Sequence, residues 1–128
     1  MNYSILVDHN FKIVRYKHSG VLDFDEIGAA WKEFLTLKEF TERKYNLLSD
    51  YRDATFNMKV DQVEDIIEFM KGIVHIVKGK KQSIIIHDPY STAGSIIFSD
   101  KVFQEIGFEV KVFTTEAAAI KWLQIPML

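Results

Sequence analysis

"QSIIIHDPYSTAGSIIF", residues 82–98, carries three consecutive isoleucines, then His-Asp-Pro, then a run of small and apolar residues. A short β-branched stretch between polar residues, here 82–88, has the character of a strand buried on both faces. Asp88 followed by Pro89 reads as a helix N-cap with proline at the first helical position. A strand that passes directly into a helix is half of a strand–helix–strand unit. Whether that unit recurs decides the fold.

It recurs on both sides. Downstream, Ile96, Ile97, Val102, Phe103 and Ile106 extend a helix as far as Gly107. "FEVKVF" (108–113) then alternates as a half-buried strand does, and Thr114 or Thr115 caps a last helix over "EAAAIKWL". Upstream, "DQVEDIIEFMKGIVHIV" (61–77) predicts one long helix. Asp61 and Glu64 form its cap pair, an apolar stripe runs from Val63 to Val77, and Gly79 lies just past the end. Before it come "YNLLSD" (45–50), a strand, and "DFDEIGAAWKEFLTL" (23–37), a helix with Asp23 and Glu26 at capping-box spacing. The chain opens with two β-rich runs, "YSILVD" (3–8) and "FKIVRYKH" (11–18), joined at His9-Asn10 in what reads as a tight hairpin, with Gly20 ending the second.

The resulting order is β-β-α-β-α-β-α-β-α. Alternating strands and helices imply parallel pairing through right-handed crossovers, and the opening hairpin adds one antiparallel strand. The expectation is an α/β domain spanning 1–128, with a five-stranded mixed sheet and four helices. Its ten phenylalanines are expected mostly between sheet and helices.

Composition narrows the function. A net charge of −2, with 27% charged and 48% hydrophobic residues, gives no electrostatic reason to expect a nucleic-acid partner. The absence of cysteine removes disulfides, thiolate metal sites and cysteine nucleophiles. "MNYSILVDHNF" lacks the layout of a signal peptide, and no apolar run has the length of a membrane span, so a cytoplasmic protein is expected. No glycine-rich phosphate loop, Gly-x-Ser-x-Gly elbow or His-x-x-x-His spacing is present, so no cofactor, metal or catalytic residue is assigned.

In the order of its elements the chain resembles the STAS-type, SpoIIAA-like family of short stand-alone bacterial (STAS/SEC14) proteins. The features that carry the likeness are "HSGVLDFDEIGAAW" (18–31), "NLLSDYRD" (46–53) and "VKVFTTEAAAIKWL" (110–123). The resemblance implies a non-enzymatic binding or regulatory domain that acts through a protein partner or a small ligand. Its alternatives are a carrier of a lipid-like apolar molecule and a phosphorylation-switched anti-sigma antagonist. The antagonist branch phosphorylates a serine in an Asp-Ser-Ser-Gly type of motif at the helix after the third strand. This chain has Asp50-Tyr51-Arg52-Asp53 there, with Thr55 the nearest loop hydroxyl, which speaks against the switch.

Three candidate regions follow. Ligands in open α/β sheets sit beyond the carboxyl ends of the strands, an edge expected to carry His18, Asp50, Arg52, Asp53, Thr55, His87 and Tyr90. Asp50, Arg52 and Asp53 are read as a charge cluster that organises a loop. The small residues of "PYSTAGSIIF" leave room for an apolar ligand between helix and sheet, around Gly94, Ile96, Ile97 and Phe98, or else allow close packing. Phe69 and Ile76 lie off the apolar stripe of 61–77, either widening its buried face or forming a face for a second copy or another partner.

Overall fold

The computed structural model describes residues 2–126. Five strands form one sheet: β1 (Tyr3–Asp8), β2 (Ile13–Leu22), β3 (Asn46–Phe56), β4 (Lys81–Ile85) and β5 (Glu109–Phe113). They lie side by side in chain order, with β1 antiparallel to β2 and every later pair parallel. The helices are α1 (Phe24–Phe34), α2 (Lys38–Thr41), α3 (Val60–Lys71), α4 (Val74–Val77), α5 (Pro89–Ile106) and α6 (Glu116–Leu123). This is the α/β mixed sheet that the sequence implies, with six helices instead of four.

Strand alternation divides the core in two. Val14, Leu47, Ile84 and Val110 face one side of the sheet and join a large cluster with Trp31, Phe34, Phe40, Ile67 and Met70 from the helices. Leu48, Ile13 and Ile85 face the other side and form a smaller cluster with Ala119 and Leu123 of α6, against which Phe113, Ile120 and Trp122 pack. That helix covers the sheet over β3, β4 and β5. Beyond it, Leu6 and Val21 on the second face are 65% and 55% exposed among the described residues. Phe34, Phe40 and Phe108 are buried as expected of phenylalanine, whereas Phe11, Phe69 and Phe103 are exposed.

Local chemistry explains most boundaries. Asp23, Asp88 and Thr115 cap α1, α5 and α6 by accepting from the backbone N–H three residues on. Gly107 ends α5 in the left-handed region at φ 80°, where a side chain would be strained.

Other boundaries differ from the sequence reading, among them the ends of α1 at Phe34 and of β4 at Ile85. The hairpin is a four-residue loop: Asp8 Oδ1 accepts from the N–H groups of Asn10 and Phe11, and Lys12 takes φ 55°. The helix after β3 starts at Val60, not at an Asp61 cap. Its N-cap is Lys59, whose N–H donates to Gln62 Oε1 at 2.9 Å. The expected single helix 61–77 breaks at Gly72-Ile73, because glycine is a poor helix former and a turn there brings Val77 fully into the core. Finally, β3 does not end at Asp50 but runs on to Phe56, paired with a β2 that itself continues to Leu22.

Candidate functional site

The extension of β3 passes through a bulge. Lys17 pairs with Asp50 and Ser19 with Asp53, so His18 on β2 stands opposite two residues, Tyr51 and Arg52. The extra residue reverses the alternation. Ser49 and Tyr51 before it, and Ala54 and Phe56 after it, all face the helix-covered side. Asp50, Arg52, Asp53 and Thr55 are left on the other face. The expected edge is therefore split between two sides of the sheet.

On the open face the charges are paired with one another. Arg52 Nε donates to Asp50 Oδ1 at 2.9 Å and Nη2 to Oδ2 at 2.7 Å, a two-pronged contact. Burial works to raise the Asp50 carboxyl, but the hydrogen bonds and charge of Arg52 outweigh it and hold the group below the usual carboxylate range. Lys17 lies 3.7 Å from Asp53, and Arg15 bridges Asp8 and Glu116. Arg52 is thus committed to a neighbouring carboxylate. Thr55 belongs to the strand, four residues before the N-cap of α3, and so is not at that helix N-terminus. His87 is exposed beside α6, bonded to the Thr114 carbonyl at 2.9 Å. His18, expected at the edge, is completely buried. Its Nε2 faces the Val21 carbonyl at 3.2 Å and therefore donates, with Glu26 Oε2 at 3.4 Å, and its Nδ1 is hydrogen-bonded to the Tyr16 hydroxyl at 2.9 Å.

The helix-covered face holds a cavity. About 230 Å3 of space lies between α1, α3, α5 and the sheet, more than the roughly 150 Å3 apolar cavity that admits benzene. Gly94, Ile97 and Phe98 line it, whereas Ile96 points to solvent. Ile27 and Trp31 supply one wall, Val63 and Ile66 another, and Tyr51 and Ile84 the sheet side. Tyr90 (70% exposed), Ile97 (50%) and Lys59 mark the mouth. The small residues at the start of α5 create the space: a Cβ built on Gly94 would meet no atom within 4 Å. Ser91 anchors this end of the helix, its hydroxyl donating to Asp88 and accepting from the Phe56 N–H.

Tyr51, Gln82, Ser91 and Ser95 interrupt the apolar lining, and of these Gln82 was not singled out from the sequence. Gln82 and Ser95 are each 3% exposed. Gln82 Nε2 donates to Ser49 Oγ at 2.8 Å, while Gln82 Oε1 and Ser95 Oγ have no partner among the described residues. Burial pushes the Tyr51 phenol up to about 12, so it stays neutral at ordinary pH. The available signal was Gln82 itself, a polar residue two positions before Ile84 and so on the same inward side of the strand. The only cationic side chain on the described lining is Lys59, at the mouth. Such a surface can solvate an apolar body and orient it through a few neutral hydrogen bonds.

Comparison with known proteins gives a fold and no more. No family model matches the chain, and no curated protein matches it. Solved structures do, and two of them illustrate the likeness. One is an uncharacterized protein of the DUF3478 family with a SpoIIAA-like fold from Shewanella loihica PV-4, 16% identical with a TM-score of 0.57, the match covering 95% of this chain and 94% of that one. The other is the anti-sigma factor antagonist SpoIIAA in its unphosphorylated form, again 16% identical with a TM-score of 0.57, covering 95% and 97%. The chain has the SpoIIAA-like, STAS-type fold over nearly its whole length.

Proposed function

We propose that this chain is a non-catalytic binding domain whose ligand is a small, predominantly apolar molecule held in the cavity between α1, α3, α5 and the sheet. The cavity carries this reading: a space of about 230 Å3, opened by a glycine on α5 and lined by Ile27, Trp31, Ile66, Ile84 and Phe98. A binding domain fits the regulatory or uncharacterized character of the fold's neighbours. Among the described residues no helix is long and apolar enough to cross a membrane, and the cysteine-free sequence supports a cytoplasmic setting.

The same cavity favours a second reading, a carrier of a lipid-like molecule, if the occupant is retained by the free protein. An antagonist role like that named for SpoIIAA has less support. Residues 57–62, which lead into α3 and form its first turn, contain no hydroxyl side chain to accept a phosphate.

Trp31 lines the cavity and Trp122 packs on the far side of the sheet, so a Trp122→Phe protein reports on the cavity through Trp31 alone. Added propylbenzene should shift Trp31 emission to a saturable end point, and Gly94→Leu, which fills the space, should abolish the response in a folded protein. An unsaturable or absent response in the parent protein defeats the binding reading. Native mass spectrometry after gentle purification separates the two readings, since a retained apolar adduct marks a carrier.

A further inference from the structure

The two unpartnered polar atoms say more about the occupant. Gln82 Oε1 on the sheet and Ser95 Oγ on α5 belong to side chains that are 97% buried and line the same cavity. Buried polar groups in folded proteins are nearly always hydrogen-bonded, because desolvating one without a partner is costly. Two such groups on one otherwise apolar lining are a built feature that calls for a complementary group. The mouth lies away from these two groups, with Tyr90, Ile97 and Lys59 exposed there.

Resting on the binding reading above, we infer that the cavity recognises a neutral amphiphile. Its apolar body packs against Trp31, Phe98 and Ile66, and its buried end carries an uncharged group that both donates and accepts, such as a hydroxyl or a primary amide. The amide of Gln82 is oriented by Ser49, to which Nε2 donates at 2.8 Å, leaving Oε1 to accept from the ligand. The Ser95 hydroxyl can give or take. With the Gln82 amide turned over, Nε2 becomes the free group, and a head that gives and takes serves that orientation equally well. A carboxylate or an ammonium is excluded from the buried end. It would lose its hydration without meeting a counter-charge, since the lining's cation, Lys59, stands at the mouth.

Three matched probes test this in the Trp122→Phe protein: 4-propylphenol, propylbenzene and 4-propylbenzoate, titrated against Trp31 emission. The phenol should bind at least about tenfold more tightly than propylbenzene, the ratio that one neutral hydrogen bond supplies. The benzoate should bind more weakly than the phenol. Gln82→Met, apolar and of similar length, should reduce the phenol-to-propylbenzene ratio to within about threefold while propylbenzene itself still binds. If that variant does not fold, Ser95→Ala provides the same comparison. Equal binding of phenol and propylbenzene by the parent protein, or tightest binding of the benzoate, overturns the inference and leaves the binding reading standing. A protein that responds to none of the three loses both.

Discussion

Arg52 and Asp50 sit two residues apart on one strand and face each other across a bulge, with Nε and Nη2 of the guanidinium on the two carboxylate oxygens at 2.9 and 2.7 Å. The Arg52 N–H adds a third bond to Asp50 Oδ1 at 3.1 Å. The pair closes a loop of charge on the open face of the sheet.

The first prediction concerns this pair. Arg52→Ala leaves a mostly buried carboxylate without its partner, and the loss should be about 1–2 kcal/mol, discounted for the partial exposure of Arg52. The pH dependence has a definite sign. The Asp50 carboxyl titrates lower in the folded than in the unfolded protein, so its contribution is complete above the ordinary value of 3.8 and is lost as pH falls through the folded value. Urea unfolding of both proteins should therefore show the full deficit at pH 7 and a shrinking one below about pH 4. A deficit that grows in acid contradicts the assignment.

The second concerns Gly94. Its position is helical and a Cβ there meets nothing, so Gly94→Ala should raise stability by about 0.5–1 kcal/mol through helix propensity. A thermal melt showing destabilisation would mean that the space is not there.

Lys80 offers a third test. Its ammonium is 4% exposed, donates to the carbonyls of Phe40 and Tyr45, and lies 4.6 Å over the Phe40 ring. Burial, with a smaller push from Lys44, lowers it to about 8. A base that titrates lower in the folded state releases its proton first as pH rises. Stability should therefore climb between about pH 8 and the unfolded value of 10.5, by up to about 3 kcal/mol. Stability curves for the parent and for Lys80→Met should differ in slope over that window, the variant lacking this rise.

The fourth separates two residues that look alike in sequence. Phe69 is 41% exposed on α3, whereas Ile76 lies on α4 and packs against the main core. The break at Gly72 removes the shared helix on which a common face would depend. Phe69→Ser should change stability by no more than about 0.5 kcal/mol, and Ile76→Ser should cost about 1–3 kcal/mol. Equal effects in a chemical melt would restore the single face.

Elements whose signals are local were legible in the sequence. The run Ile84–Ile86, the caps Asp23, Asp88 and Thr115, and Gly107 each act through neighbours a few residues away, so they disclosed the strand–helix order and with it the parallel sheet. The small residues around Gly94 left two outcomes open for the same reason: a helix that lacks bulk on its inner face must leave space or close upon the sheet. What remained hidden depends on partners distant in the chain. The crowd of charges at Asp50–Asp53 resembles a loop until β2 is laid beside it, because a bulge is defined by two strands and shifts the alternation of only one. His18 reads as an edge residue until Tyr16 and the Val21 carbonyl enclose it. Gln82 and Ser95, 13 positions apart in sequence, acquire a common meaning only when β4 and α5 close on one space. Hydrophobic periodicity determines which residues must be buried. Only the tertiary packing of the helices against the sheet decides which buried polar atoms are left without a partner.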